Sequence, residues 1–199
     1  MAEYRLTTPL EEKTARELTV GDVVYLSGII YTARDEAHIH ILEDLRKGRE
    51  VNIPLKGAVI YHCGPILKRE DGGWKVIAAG PTTSSRMNPL EPEFIEKMGI
   101  KGVIGKGGMS KQVGEALAKH GAVYFSFTGG AAVLAANRIK AVKGVYYEEL
   151  GMAEAVWVLE VKEFGPLIVG MDAKGNSLYE KVELEVGRNL AKVRHMLGI

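Results

Sequence analysis

Apolar residues along this chain fall in short runs whose spacing alternates between the two-residue period of strands and the three-to-four-residue period of helices. Val23 to Tyr31 (VVYLSGIIY) follows Gly21-Asp22 and is rich in β-branched and aromatic residues, the composition of a strand. From Asp35, the segment EAHIHILEDLRKG puts Ala37, Ile41, Leu42 and Leu45 at helical spacing, and Gly48 lies just past the last basic residues as a stop. Arg34-Asp35 therefore sits where a strand hands over to a helix. A second strand pair is predicted over Ala58–His62 and Trp74–Ala79, with Asp71-Gly72-Gly73 as the turn between them. The second of these runs into Gly80-Pro81-Thr82-Thr83-Ser84-Ser85-Arg86-Met87, which is too polar for core and whose Gly-Pro opening stops the strand.

Beyond Asn88-Pro89, a short helix is predicted from Glu91 to Met98, with Pro92 in the first turn where a missing N–H does no harm. A strand over Gly102–Gly105 then ends in the glycine loop Gly105-Lys106-Gly107-Gly108. Ser110 caps the next helix, whose apolar face is Val113, Ala116 and Leu117 and which Gly121 closes. Ala122–Phe127 is a buried-type strand, and Thr128-Gly129-Gly130 opens the small-residue helix AAVLAANRI. Ala155–Val161 and Leu167–Val169 read as a further strand pair, with Ala173-Lys174-Gly175-Asn176 as a turn. Tyr179, Val182, Val186, Leu190, Val193 and Leu197, three and four apart, make an amphipathic C-terminal helix. The order is α/β with a mixed sheet and flanking helices, no repeat and no linker, which predicts a single domain over 1–199.

Composition narrows the chemistry. With 46% hydrophobic and 26% charged residues the chain matches ordinary globular proteins, which removes the disordered and low-complexity classes. Its formal charge of +1 supplies no overall field toward nucleic acid or an acidic membrane, so any anion site must be local. A lone cysteine, Cys63, excludes a disulfide framework, a CxxC zinc site and an iron–sulfur cluster ligated by this chain alone, since a cluster needs about three or four thiolates. The N-terminal stretch MAEYRLTTPLEEKTAREL has no secretory apolar region, and no run approaches the roughly 18 apolar residues of a membrane span. A cytoplasmic location is expected.

Catalytic groups of α/β proteins collect on loops beyond the carboxyl ends of strands. Thr32–Asp35, Gly80–Arg86 and Gly105–Gly108 each end an apolar run and each carries one cation, namely Arg34, Arg86 and Lys106. Three such cations suit a small polyanion such as a dicarboxylate, because arginine grips a carboxylate with two prongs and lysine adds a point charge. Taken singly, each also fits a solvated surface cation. The hydroxyl run Thr82-Thr83-Ser84-Ser85 is either a loop that satisfies its own backbone or a proton-handling group beside a cationic anchor. His38, His40 and His62-Cys63 match no metal spacing, so structural or solvent roles are expected. Val103-Ile104-Gly105-Lys106-Gly107-Gly108 resembles the GxxG turn of KH domains. That leaves a nucleic-acid or phosphate-binding module as an alternative, although the segment before it reads as a strand rather than a helix.

The strings LSGIIYTARDEAH, YHCGPI, AAGPTTSSRMNPLEPEFIEKMGIKGVIGKGGM and FTGGAAVLAANRIKAV, followed by EELGMAEAVWVLEV, span most of Val20 to Gly175. Together they resemble the β subunit, or C-terminal region, of the iron–sulfur hydro-lyases of the class I fumarase and tartrate dehydratase type. The resemblance implies a swivelling β/β/α domain. It implies an α-subunit partner whose three cysteines hold a [4Fe–4S] cluster with one open iron, and a C4 dicarboxylate substrate, with neither nucleic acid nor membrane as partner. It implies that Arg34, Arg86 and Lys106 contact substrate carboxylates and that Thr82 is the catalytic base. Asp35 and His38 take supporting roles, orienting Arg34 or positioning the helix, and no metal is expected on this chain. The implied reaction is fumarate to malate, with tartrate to oxaloacetate as the alternative, and the chain is expected to be inactive without its partner.

Overall fold

The computed structural model describes residues 1–70 and 72–198, the Ala191 side chain aside, so the first residue of the expected Asp71-Gly72-Gly73 turn lies outside the described residues. Along the chain run β1 (Glu3–Thr7), α1 (Glu12–Glu17), β2 (Val23–Thr32), α2 (Asp35–Arg46), β3 (Val59–Tyr61), β4 (Ile66–Glu70) and β5 (Gly73–Ala78). These are followed by α3 (Glu91–Met98), β6 (Gly102–Gly105), α4 (Lys111–His120), β7 (Val123–Ser126), α5 (Ala132–Arg138), β8 (Ile139–Tyr146), β9 (Val156–Met171) and α6 (Leu178–Leu197). The main sheet has the order β1-β2-β3-β6-β7-β9-β8, and β4-β5 form a separate hairpin.

Strands β1, β2, β3, β6 and β7 are parallel neighbours, while β9 runs antiparallel to β7, β2 and β8. Since Ile168 of β9 pairs with both Val23 and Ser126, β9 joins β2 to β7 and closes the ring β2-β3-β6-β7-β9. Closure leaves those strands no free edge. Side chains alternate across the ring wall. Val59, Tyr61, Ile104, Phe125 and Trp157 fill the inside. Ile60, Val103 and Tyr124 point outward against Ile41, Leu42, Phe94, Ile95, Val113 and Leu117 of α2, α3 and α4. Each fully buried aliphatic or phenyl side chain here contributes about 1.5–3 kcal/mol. Helix α4 has the predicted boundaries: Ser110 accepts from the Val113 N–H at 3.5 Å, and Gly121 closes it in the left-handed region at φ 60°.

Three expectations change. The hairpin partner of β5 is β4, not the 58–62 segment, which instead lies between β2 and β6 in the main sheet. The charged run Lys68-Arg69-Glu70, exposed along an edge, had hidden β4. The two strands expected at 155–161 and 167–169 are one continuous strand, β9. At Gly165 (φ 155°) it passes so close to β2 that a Cβ would meet the Val24 carbonyl at 2.7 Å, so the glycine that reads as a break permits continuation. The C-terminal helix forms, but beyond Tyr179, which packs against the core, its apolar stripe does not join it. Among the described residues no helix is long and apolar enough to cross a membrane.

Candidate active site

Because β2, β3 and β6 lie side by side and parallel, their carboxyl ends open on one rim, and the residues just beyond them include Arg34, His62 and Lys106. The Gly80–Arg86 segment is laid across that rim by backbone hydrogen bonds. Thr82 N–H donates to the His62 carbonyl at 2.7 Å, Lys106 N–H to the Thr82 carbonyl at 3.4 Å, and Ser84 N–H to the Lys106 carbonyl at 3.1 Å. Gly105 is required at this crossing, since a Cβ there would lie 1.8 Å from the Ser84 hydroxyl oxygen.

The cations are held differently. Arg86 grips Asp35 with two prongs, Nε to Oδ1 at 3.0 Å and Nη2 to Oδ2 at 2.9 Å, while half of its side chain stays exposed. Asp35 thus orients Arg86 and not the adjacent Arg34. Arg34 lies across Gly64, where a Cβ would come within 2.6 Å of Nη1, and its Nε is 3.2 Å from Glu154 Oε1. Glu154 in turn accepts from the Glu36 N–H at 3.2 Å. The Lys106 stem rests beside Gly129, and among the described residues no carboxylate pairs with it. The Thr82 side chain is half-buried, and among the described residues its hydroxyl makes no hydrogen bond. Loops from three parts of the sequence therefore meet in one place: Arg34-Asp35 touches Arg86, and Thr82 of the same loop as Arg86 touches Lys106.

Beneath the rim lies a trio in which sequence reasoning had singled out only His38. His38, His62 and Glu91 are all completely buried, with Glu91 Oε2 at 3.4 Å from His38 Nε2 and 3.1 Å from His62 Nε2. These ring N–H directions are not aligned on the oxygen, so the contacts are ion-pair contacts rather than well-formed hydrogen bonds. The far nitrogens reach the rim: His38 Nδ1 donates to the Arg34 carbonyl at 2.7 Å, and His62 Nδ1 meets the Ser84 hydroxyl at 3.0 Å. Ser84 also lies 3.0 Å from the Tyr124 hydroxyl, which donates to the Gly107 carbonyl at 2.9 Å.

Burial alone would raise the Glu91 carboxyl, but the adjacent His62 and His38 rings, which can each carry a proton against it, outweigh burial and hold Glu91 at about 2. Burial pulls both imidazoles down. For His38 the Glu91 carboxylate reverses the effect and the pKa is raised; for His62 burial prevails and the pKa is lowered. One carboxylate, one imidazolium and one neutral imidazole cancel to zero net charge. That is the arrangement a dry interior tolerates.

The donor atoms of this trio lie within 4.8 Å of one another, the spacing a metal ion also needs. An iron–sulfur cluster does not fit this chain. Its one thiol, Cys63, is buried, and burial pushes its pKa well up, the reverse of what a metal-binding thiolate requires. The groove of about 1070 Å³ between α4 and the start of α6 does not include Arg34, Thr82, Arg86 or Lys106. The Arg86 side chain is half exposed at the rim, and that of Arg34 about one-fifth exposed.

Glu91, His62, Ser84 and Glu154 were missed as site residues. Glu91 reads as an acidic residue in a helical first turn, favourable there on dipole grounds alone, and only the fold shows that two buried imidazoles face it.

Residues 2–182 match the family described as Fumarase C-terminus. A protein of Methanocaldococcus jannaschii provisionally named L(+)-tartrate dehydratase subunit beta is 48% identical over 191 residues, covering 96% of both chains. The L(+)-tartrate dehydratase subunit beta of Escherichia coli K12 is 44% identical over 173 residues, 87% of this chain and 85% of that protein. A Geobacillus stearothermophilus protein provisionally named class I fumarate hydratase is 48% identical over 179 residues, 89% of this chain but only 34% of that protein.

Proposed function

Because the chain belongs to the fumarase C-terminus family, we propose that it serves as the β subunit of a two-chain hydro-lyase that adds water reversibly across a C4 dicarboxylate, fumarate to malate. One observation carries this reading: three cations and an unengaged threonine hydroxyl gather on one open rim of a chain whose single thiol is buried. The rim supplies anchors but no cluster ligands, so the [4Fe–4S] cluster belongs to the α subunit, where it supplies Lewis-acid chemistry at the departing hydroxyl.

On this chain Arg34 and Arg86 bind carboxylate oxygens through the guanidinium edges that Glu154 and Asp35 leave free, and Lys106 adds a point charge. In the dehydration direction, the Thr82 oxygen takes the proton from the carbon beside one carboxylate as its own hydroxyl proton passes to an assisting base. The negative charge that spreads into that carboxylate is met by the cations. A threonine hydroxyl is a weak base unless a carboxylate or a dry enclosure assists it. Among the described residues no carboxylate contacts Thr82, so assistance comes from across the interface. A single domain over 1–199 suits this half-site role.

A second reading is dehydration of tartrate to oxaloacetate, favoured because relatives that match at nearly full length carry the tartrate dehydratase subunit name. One hydroxyl on the substrate separates the two and is read by a few pocket contacts. The experiment is substrate profiling of the anaerobically coexpressed pair with fumarate, malate and tartrate, run beside its Thr82→Ala variant. Turnover of one or more of these diacids, abolished by Thr82→Ala, is expected; no turnover of any would refute the reading.

A further inference from the structure

Helix α6 has an apolar stripe that the body of the molecule leaves uncovered beyond Tyr179, whose ring packs on Tyr124 and whose hydroxyl meets Ser126 at 2.6 Å. Val186 is 58% exposed, Leu190 45%, Val193 47%, Met196 83% and Leu197 66%. At 3.6 residues per turn, Tyr179, Val182, Val186, Leu190, Val193 and Leu197 all fall within about 40° of one line along the helix, which is roughly 30 Å long. So continuous a stripe is unusual on a chain that stays alone in water. The family match ends at Val182, so the stripe beyond it is not part of what the shared fold requires.

Charge along the helix identifies what covers it. Its first half carries Glu180, Glu183 and Glu185 against Lys181, and its second half carries Arg188, Lys192 and Arg194 with no acid. Two copies laid side by side in the same direction would set like charges together. Laid antiparallel, each acidic half meets a basic half.

We propose that α6 pairs antiparallel with α6 of a second copy of this chain, about a two-fold axis near Gly187. In that register Leu190 packs on Val186 of the second copy, Leu197 on its Tyr179, and Val193 on the stem of its Glu183. On one flank Glu180 meets Arg194 of the second copy; on the other, Val182 meets its Met196. Gly187 falls level with the axis on the flank of the stripe, in open space with nothing within 4 Å of the Cβ it lacks. A glycine in mid-helix is otherwise unfavourable relative to alanine. The tip carrying Met196 and Leu197 reaches the second copy's groove between α4 and α6, lined by Met109, Ala118, Met171, Tyr179 and Val182. The contact is isologous, so it closes at a dimer.

Sedimentation equilibrium of the purified chain tests this, with a dimer expected at about 100 μM protein. Leu190→Asp should raise the dimer dissociation constant more than about ten-fold while circular dichroism shows the helix and the thermal midpoint of the body retained. Glu180→Arg and Arg194→Glu should each weaken the dimer about five-fold, and the double swap should restore it, because each pair is made across copies. Gly187→Cys should join to itself through a short bis-maleimide, the native Cys63 being buried. A monomer at that concentration, a double swap no tighter than its single variants, or α6 protected only when the α subunit is added would each overturn the proposal. None of these readings depends on turnover, so they stand apart from the hydro-lyase assignment.

Discussion

The buried trio and the rim above it are both built from charged side chains, yet they obey opposite rules. His38, His62 and Glu91 are wholly enclosed and cancel one another in charge, although both ring Nε2 atoms and both Glu91 oxygens make no aligned hydrogen bond among the described residues. On the rim, Arg86 stays half exposed, Lys106 has no carboxylate partner among the described residues, and the Thr82 hydroxyl is unengaged. One region is a foundation that fixes loop positions through the Arg34 carbonyl and the Ser84 hydroxyl. The other is a surface with unspent hydrogen-bonding capacity. Substitutions on the rim should therefore cost activity first, and substitutions in the trio should cost stability first.

Thr82→Ala should show this contrast at its largest. Activity of the assembled enzyme should fall by about 10²–10⁴, while the chemical-denaturation midpoint stays put. A matching loss of stability would erase the distinction. Glu91→Gln should do the opposite, lowering stability by about 1–3 kcal/mol because His38 gives up its proton and both buried imidazoles lose the carboxylate they face; urea unfolding measures it.

The trio also sets a pH dependence. Below the ordinary imidazole value of 6.5 the unfolded chain protonates both histidines and the folded chain only His38, so stability falls as pH falls, and it falls further as Glu91 approaches about 2. Above 6.5 the folded chain still holds the His38 proton that the unfolded chain has lost, so stability falls as pH rises through the raised His38 value. The trio's contribution thus peaks near pH 6.5, with limbs of about 1.4 kcal/mol per pH unit, and Glu91→Gln should remove the alkaline limb. Stability profiles of the two proteins check this directly.

Arg86→Lys should cost about 10–100-fold in kcat/KM, chiefly through KM, because lysine cannot make the two-pronged contact. Ser110→Ala, just beyond the Gly105–Gly108 loop, should cost about 1 kcal/mol of stability as a lost cap and change turnover far less than the rim substitutions do.

What the sequence disclosed and what it hid divide along the same line. Arg34, Arg86 and Lys106 were readable because each follows an apolar run, and parallel strands carry such loops to one edge. The caps of α4 were readable because they are local. Glu91 was not, since its partners His38 and His62 arrive from α2 and the end of β3, and only the packing of α3 against the sheet brings them within ion-pair distance. Glu154 escaped for the same reason, reaching Arg34 across 120 positions of chain. The pairing of β4 with β5 was masked by charge, and the continuity of β9 by a glycine that steric crowding demands.

The most direct test is anaerobic hydration of fumarate by this chain alone, by the α subunit alone, and by the two combined. Turnover only in the combination is the result a half-site requires. Turnover by this chain alone at the rate of the combination would contradict it.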